Sequence, residues 1–145
     1  MIVSVYIKTF NDLSKLELYE ILKLRSAVFV LEQKCAYQDI DGLDIDAVHL
    51  TFKDNDELKA YLRIVKKSDS CAQIGRVIAA ERRKGYATKL IKAAVEYLQN
   101  LEDITSIYLE AQTYAISLYK KLGFEVISDE FLEDGIPHVK MMMEI

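Results

Sequence analysis

Residues 82–88 have the sequence Arg-Arg-Lys-Gly-Tyr-Ala-Thr and lie between an apolar stretch at 74–80 and a helical pattern at 89–101. Backbone N–H groups in the first turn of a helix lack an intrahelical partner, and the helix dipole adds positive charge there. Gly85 would let the backbone approach a bulky oxyanion, and the three basic residues before it would surround that anion with positive charge. The stretch therefore predicts a phosphate-binding turn between a strand and a helix, with a solvated basic turn as the alternative.

The spacing of this turn resembles a family signature. Arg82-x-x-Gly85-x-Ala87 is similar to the [Arg/Gln]-x-x-Gly-x-[Gly/Ala] motif of the GNAT acetyltransferase superfamily, whose loop holds the pyrophosphate of acetyl-CoA. Val77 stands five residues before the motif, as in that family. Residues 118–124, Leu-Tyr-Lys-Lys-Leu-Gly-Phe, are similar to the family's Leu-Tyr-x-Lys-x-Gly-Phe segment. Within the superfamily, the chain resembles the ElaA-like branch in three segments, 24–33, 37–42 and 133–138.

The resemblance implies a fold and an activity. The fold would be the α/β GNAT acyl-CoA N-acyltransferase fold, a mixed sheet in a single layer of mostly antiparallel strands with helices on both faces. Residues 1–145 would form one N-acetyltransferase domain, which transfers an acetyl group from acetyl-CoA to a primary amine of a small molecule, peptide or protein. A noncatalytic acyl-CoA-binding or regulatory domain is the alternative. A nucleotide-binding module of another fold is disfavoured, because the chain has no Gly-x-x-x-x-Gly-Lys-[Ser/Thr] loop.

The resemblance also implies which residues bind the coenzyme. Gly75, Arg76 and Val77 would hold the pantetheine arm through their backbones, as an added strand. Gln112 falls where many members have an asparagine that reaches this arm, so its longer side chain would contact the coenzyme, cap the following helix or face solvent. The phosphate turn would contribute Arg82, Arg83, Lys84, Gly85, Tyr86, Ala87 and Thr88.

Tyr119 is the predicted catalytic residue, and it would also contact the coenzyme. The matching tyrosine of the family donates a proton to the departing thiolate, whereas a packed core tyrosine is the alternative. Glu110, at the end of a predicted strand, is the candidate general base, because a carboxylate can accept the proton of an ammonium with a pKa near 10. A solvent-facing position is its alternative, and Asp134 and His138 are further candidates for the base.

The first half of the chain is predicted to recognise the acceptor. Four aspartates crowd the loop at 39–46, where they would attract a cationic amine or simply face solvent. Arg25 interrupts an apolar helix face, so it would bind a substrate carboxylate or phosphate, or else pair with nearby acids. The predicted substrate-binding residues are Arg25, Asp39, Asp41, His49, Asp134 and His138.

Composition narrows the function classes. The chain has 145 residues and a formal net charge of −4, which argues against a nucleic-acid partner. The first ten residues resemble no secretion signal, and no apolar stretch is long enough to span a membrane, so a cytoplasmic protein without a membrane partner is expected. Cys35 and Cys71 suit reduced thiols better than a disulfide, and with the two histidines they lack zinc-ligand spacing, so no metal is expected. The methionine edge at 141–143 could pair with another chain, as in a homodimer, or fill gaps in the core.

Periodicity predicts the order of the elements. Ser14 is expected to cap the first helix, and Asp54-Asn55-Asp56 to form the turn of a hairpin. Loops are expected at 34–47 and 129–137. Strands are expected at 3–8, 49–53, 58–65, 73–79, 106–111, 124–128 and 139–145, and helices from about 15 to 31, 86–101 and 114–122.

Overall fold

The computed structural model describes residues 3–32, 39–80 and 85–145. In these residues eight strands form one sheet, in the order β1-β2-β3-β4-β5-β8-β6, with β7 paired to β8. Only β4 and β5 pair in parallel; the other neighbours are antiparallel. The strands are β1 (Val3–Thr9), β2 (Val48–Asp54), β3 (Glu57–Lys66), β4 (Cys71–Ala79), β5 (Ser106–Gln112), β6 (Glu125–Val126), β7 (Phe131–Glu133) and β8 (Ile136–Glu144). The helices are α1 (Lys15–Arg25), α2 (Tyr86–Gln99) and α3 (Ile116–Lys121).

Helices cover both faces of the sheet. Leu62 of β3 packs in the larger core with Leu90 and the other buried residues of α2, while the neighbouring Tyr61 packs in the smaller core with Ile21 of α1. Successive residues of a strand point to opposite faces, so this alternation fixes the two helices on opposite sides. The expected mixed α/β sheet with helices on both faces is confirmed.

A bulge interrupts β4 in the middle of the sheet. Tyr61 pairs with Ile78 and Arg63 pairs with Gly75, so one residue of β3 faces two residues of β4, Arg76 and Val77. Arg76 has a left-handed backbone with φ 53°. The extra residue reverses the side-chain alternation and bends the strand. Ile74 accordingly packs in the larger core and Ile78 in the smaller one, although residues four apart in a regular strand share a face.

The first helix begins as predicted and ends differently. Ser14 Oγ accepts a hydrogen bond from Glu17 N–H at 3.0 Å, and the Glu17 carboxylate accepts one from Ser14 N–H at 2.9 Å, which confirms the predicted cap as a capping box. The α-helix ends at Arg25, and the chain continues as a π-helical segment, Ser26–Glu32. Of the loop predicted at 34–47, residues 34–38 lie outside the described residues, and Leu43–Asp46 form a 3₁₀ turn.

The loop predicted at 129–137 is wrong, because most of it forms the hairpin of β7 and β8. Glu133 pairs with Ile136 across a two-residue turn. Both turn residues, Asp134 and Gly135, have positive φ, 52° and 76°. This is the geometry that Asp-Gly favours in tight hairpins, so the signal was present in the sequence. The predicted half-buried first strand also differs, since Val5 and Tyr6, on opposite faces of β1, are both exposed.

Candidate functional site

A cleft of about 400 Å³ opens where β4 and β5 part. Only Cys71–Gln73 of β4 pair with β5, at Ser106–Tyr108. Beyond these residues the bulge directs β4 away from β5. Both strands line the opening, β4 through residues 73–77 and β5 through Leu109, Glu110 and Gln112. Because this stretch of β4 has no partner in β5, an extended ligand can lie along it as an added strand.

Several predicted coenzyme residues meet in this cleft. Gly75, Arg76, Val77, Gln112 and Tyr119 all line it. The Gln112 side chain makes no capping hydrogen bond to the turn that follows β5, so the capping alternative for this residue is wrong.

The phosphate turn is described from Gly85 onward, and Arg82, Arg83 and Lys84 lie outside the described residues. Gly85 is left-handed, with φ 75°, and an added Cβ would meet no atom of the described residues within 4 Å. The first bond of α2 runs from Lys89 N–H to Gly85 O at 3.1 Å, so the N–H groups of Tyr86, Ala87 and Thr88 precede the intrahelical ladder. These donors and the open space at Gly85 fit a phosphate group. Tyr86 would act through its backbone, because its ring packs on Phe52 at 5.1 Å.

Tyr119 lies in α3 with its side chain against the sheet. The residue is 7% exposed, and its ring meets Phe124 edge to face at 5.8 Å. Among the residues that the structure describes, none hydrogen-bonds the Tyr119 hydroxyl. Burial, with a smaller effect of Tyr114, raises the pKa of Tyr119 well above its usual value. The phenol is therefore protonated at neutral pH and has a proton to donate.

Three arginines and three aspartates form a closed ring beside the cleft, with the two charges alternating. Arg25 pairs with Asp39 at 3.0 Å and with Asp44 at 2.7 Å. Each of the other two arginines likewise bridges two aspartates. These contacts are Arg63–Asp44 at 3.0 Å, Arg63–Asp41 at 2.6 Å, Arg76–Asp41 at 3.3 Å and Arg76–Asp39 at 2.8 Å.

This charge ring has a formal net charge of zero. The ring therefore weakens the prediction that the aspartates at 39–46 attract a cationic amine. Hydrogen bonds from Arg63 hold the pKa of Asp41 well below its usual range. Burial tends to raise the pKa of Asp44, but its bonds with the two buried arginines outweigh burial and lower it. The carboxylates stay ionised while arginines compensate their charge, which leaves little field to attract an amine. Of the two roles predicted for Arg25, the structure shows the pairing with nearby acids.

His49 is buried beneath the ring, and its side chain does not line the cleft. Its Nε2 lies 2.8 Å from Asp44 O, a pure acceptor, so Nε2 carries the proton and donates it. The other nitrogen, Nδ1, then accepts from the Tyr61 hydroxyl at 2.6 Å. Burial lowers the pKa of His49 and keeps the ring neutral. Both ring nitrogens are thus engaged within the protein.

The opposite end of the cleft is acidic. Glu110, Glu133, Asp134 and His138 all line it. Glu110 Oε2 accepts a hydrogen bond from the Tyr108 hydroxyl at 3.0 Å. Burial and the neighbouring Glu110 raise the pKa of Glu133. The raised pKa means that Glu133 keeps its proton to a higher pH than a solvent-exposed glutamate does.

His138 completes this end of the cleft. Its Nδ1 lies 2.6 Å from Ile136 O, so Nδ1–H donates and Nε2 faces Glu133 Oε2 at 3.9 Å. Glu133 itself was not among the predicted site residues. The hairpin signal at Asp134–Gly135 could have found it, because a two-residue turn places residue 133 opposite residue 136 and beside the residues of β8.

Within 3–32, 39–80 and 85–145, no helix has the length and apolar character needed to cross a membrane. Over the same residues, no three His, Cys, Asp or Glu side chains gather in an arrangement that could hold a metal ion.

Comparison with known proteins assigns the family. A model of the GNAT acetyltransferase domain matches residues 12–145. A UPF0039 protein of Schizosaccharomyces pombe is 43% identical over 142 residues, 95% of each chain. Protein ElaA of Escherichia coli is 40% identical over 141 residues, 93% of this chain and 92% of ElaA.

Solved structures agree with the sequence comparison. The crystal structure of Escherichia coli ElaA superposes with a TM-score of 0.91 at 37% identity and covers 99% of this chain and 100% of that one. The crystal structure of an acyl-CoA N-acyltransferase from Pseudomonas aeruginosa gives a TM-score of 0.89 at 37% identity, with 97% and 99% covered. The chain therefore belongs to the GNAT acetyltransferase family and, within it, to the ElaA-like branch.

Proposed function

We propose that the protein is an acetyl-CoA-dependent N-acetyltransferase that acts on a primary amine. One observation carries the proposal: the parted strands β4 and β5 form a cleft lined by Tyr119, whose hydroxyl no described residue hydrogen-bonds. Such a cleft holds an extended ligand beside a proton donor. The similar protein from Pseudomonas aeruginosa is described as an acyl-CoA N-acyltransferase, which supports the same class of donor here.

The coenzyme would be held along one side of the cleft. Backbone groups of Gly75, Arg76 and Val77 would bind the pantetheine arm, and the Gln112 amide would reach it from β5. The first turn of α2, from Gly85 onward, would bind the pyrophosphate, assisted by the basic residues before it. When bound, acetyl-CoA supplies an acetyl group that is already activated as a thioester.

The residues of the chain would then move protons and fix geometry. Tyr119 Oη would donate a proton to the leaving sulfur as negative charge develops on it, since a phenol carries that proton at neutral pH. Glu110, at the acidic end of the cleft, would accept a proton from the amine. Alignment of the two substrates in one cleft would supply the remaining rate enhancement, because a bound amine meets the thioester at high effective concentration.

Two measurements test this function. Release of free thiol from acetyl-CoA in the presence of a panel of primary amines should exceed the rate without amine. Calorimetric titration with CoA measures binding separately. Binding of CoA without thiol release for any amine would contradict the proposal and support the noncatalytic acyl-CoA-binding alternative.

We also propose a cellular setting. The protein would work in the cytoplasm on a small-molecule or peptide amine, rather than on nucleic acid or at a membrane, and its net charge of −4 supports the lack of affinity for polyanions. A homodimer is part of this proposal, but residues 141–143 would not form its interface, because β8 pairs with β5 on one side and with β6 on the other and Met141 lies in the larger core. Light scattering at two protein concentrations tests the oligomeric state.

A further inference from the structure

The cleft passes through the sheet from one face to the other. Leu109 and Tyr119 line it from the face of the larger core, where α2 packs. Glu110 and Gln112 also line it, and they point to the opposite face because they alternate with Leu109 along β5. The coenzyme is proposed to be held at the first turn of α2, on the first face. An acceptor that meets the thioester in the gap therefore approaches from the second face.

His138 stands on the second face, beside the gap. Its neighbour Val139 packs in the larger core, so the His138 side chain points away from that core. His138 is the register partner of Gln112, and side chains directly opposite each other in antiparallel strands have Cβ atoms about 4.5–5.5 Å apart. The residue is 8% exposed and lines the cleft. The nearly buried ring therefore borders the space that the acceptor would occupy.

The contacts of the His138 ring fix its position and its tautomer. Nδ1 lies 2.6 Å from Ile136 O, which can only accept, so Nδ1 carries the proton of the neutral ring. The Phe131 ring stacks on the imidazole with 6.0 Å between the two centres. Nε2 is then an unprotonated nitrogen. No described residue hydrogen-bonds Nε2, since Glu133 Oε2 lies 3.9 Å away, and Nε2 is not sealed in the interior.

We propose that His138 is a catalytic residue whose Nε2 accepts the second proton that the acceptor nitrogen loses. This inference rests on the proposed N-acetyltransferase function and adds a second base to it. An ammonium nitrogen must lose two protons to become an amide, and Glu110 accepts only one of them. A neutral imidazole is a stronger base than a carboxylate. A ring that donates Nδ1–H to a main-chain carbonyl and presents a free Nε2 to the substrate is suited to general base catalysis.

The protons and electrons balance in this scheme. The bound ammonium gives its first proton to Glu110, and the amine nitrogen then forms a bond to the acetyl carbon, which moves an electron pair onto the carbonyl oxygen. The nitrogen gives its second proton to His138 Nε2. The carbonyl re-forms, the carbon–sulfur bond breaks with its electron pair on sulfur, and Tyr119 Oη protonates that sulfur. Of the two protons taken up, one returns to Tyr119 through solvent and the other leaves to bulk water.

The charges around the ring favour a proton on Nε2. Glu133 faces Nε2 from β7, and an ionised carboxylate at such a distance stabilises the imidazolium that forms when Nε2 accepts a proton. Glu110 and Asp134 also line this part of the cleft, and Lys140, on the same face of β8, is the register partner of Glu110. The charge ring beside the cleft is neutral as a whole. The transferred proton therefore has a counter-charge beside it.

His138→Asn separates the base from the structural contact. The asparagine amide has an N–H close to the position of Nδ1 and can still donate to Ile136 O, but it has no atom at the position of Nε2. Thiol release from acetyl-CoA is measured with butylamine, benzylamine, lysine and trialanine, and the fastest acceptor is used for kinetics. We expect kcat to fall by about a hundredfold or more, while the CoA affinity measured by calorimetry changes little.

His138→Ala tests the base directly, because it leaves a space that added imidazole can fill. Imidazole should raise kcat of this variant by about tenfold or more, and the increase should follow the neutral form of imidazole as pH changes. Acetylated amine, rather than free thiol, is measured here, because imidazole itself can react with a thioester. Sodium chloride at equal ionic strength is the solution control. His49→Gln is the matched variant, since His49 is the other histidine of the chain and does not line the cleft; imidazole should not change its rate.

The outcomes separate the inference from the function on which it rests. A His138→Asn enzyme that is correctly folded by circular dichroism and keeps the natural kcat would overturn the role of His138 and leave the N-acetyltransferase function intact. Loss of kcat in both His138 variants without rescue by imidazole would also overturn that role, because a ring that only packs predicts this result. No thiol release by the natural enzyme with any of the four amines would overturn both proposals.

Discussion

The guanidinium of Arg76 donates from Nε to Oδ1 of Asp39 across 2.8 Å, and it thereby fixes the residue at which β4 bulges. A non-glycine residue in the left-handed region costs on the order of 1–3 kcal/mol and persists only where its surroundings hold it. Asp39 also accepts from the buried Arg25 of α1 at 3.0 Å. One carboxylate thus connects the first helix to the bulge that opens the cleft.

Asp39→Asn should destabilise the protein and weaken coenzyme binding together. The substitution leaves two arginines, one of them fully buried, without their shared counter-charge. Arg25 keeps Asp44 and Arg76 keeps Asp41, so the loss should stay below the roughly 3–5 kcal/mol of a buried ion pair that is left with an uncompensated charge. Urea denaturation measures the loss of unfolding free energy, and CoA titration of the folded variant measures the effect of a bulge that is no longer anchored.

Asp46→Asn provides the control for this prediction. Asp46 lies in the same loop, is exposed and forms none of the ion pairs of the charge ring. Its substitution should change the unfolding free energy by less than about 0.5 kcal/mol, as is usual for surface positions. If Asp39→Asn proves no more costly than Asp46→Asn, the charge ring does not hold the bulge.

The sequence predicted those secondary-structure elements and site residues that a local sequence pattern marks. Two-residue and helical periodicities predicted most strands and α2, because burial on one face imposes them directly. The motif positions Val77 and Tyr119 were also predicted, and both line the cleft. The bulge of β4 at Arg76 and Val77 was not predicted. It depends on the contact of Arg76 with Asp39, 37 residues away, and no local pattern encodes that contact.

The charge ring and Glu133 were both missed from the sequence, for two different reasons. The sequence identified an acidic loop and an isolated Arg25, but their pairing joins segments 14 and 19 residues apart and could only be seen in three dimensions. Glu133 was missed for a local reason, because Asp134–Gly135 was assigned to a loop rather than to a hairpin turn. The first failure is inherent in the sequence; the second could have been avoided.

Val77→Pro should impair coenzyme binding far more than Val77→Ala. Proline removes the backbone N–H and fixes φ, whereas alanine keeps the backbone and removes only part of a side chain that packs against the larger core. One lost hydrogen bond corresponds to about a tenfold weaker CoA affinity. Calorimetric titration of both variants, with circular dichroism to confirm folding, makes the comparison. Equal CoA affinity in the two variants would contradict a backbone role for Val77.

Tyr119→Phe should lower turnover and leave stability nearly unchanged. General acid catalysis contributes about 10²–10⁴-fold to a rate, so kcat should fall by about a hundredfold or more while KM for acetyl-CoA changes little. The unfolding free energy should shift by less than about 1 kcal/mol, because no described residue hydrogen-bonds the hydroxyl. Unchanged kcat would restrict the role of Tyr119 to packing. A large loss of stability with normal kcat would likewise show that Tyr119 acts only in packing.

His49 should make the stability of the protein depend on pH in the mildly acidic range. Burial lowers its pKa in the folded state below the unfolded value of 6.5. Between the two values the unfolded chain binds the proton and the folded protein does not, so the unfolding free energy falls as pH drops below 6.5. Asp41 and Asp44 do not contribute there, since their pKa values are lowered from 3.8 and they lose their stabilising effect only below that pH. Urea titrations between neutral pH and about pH 5 should show this slope in the natural protein and a smaller slope in His49→Gln, which cannot titrate. Equal slopes would mean that His49 is not held neutral by the contacts with Asp44 and Tyr61.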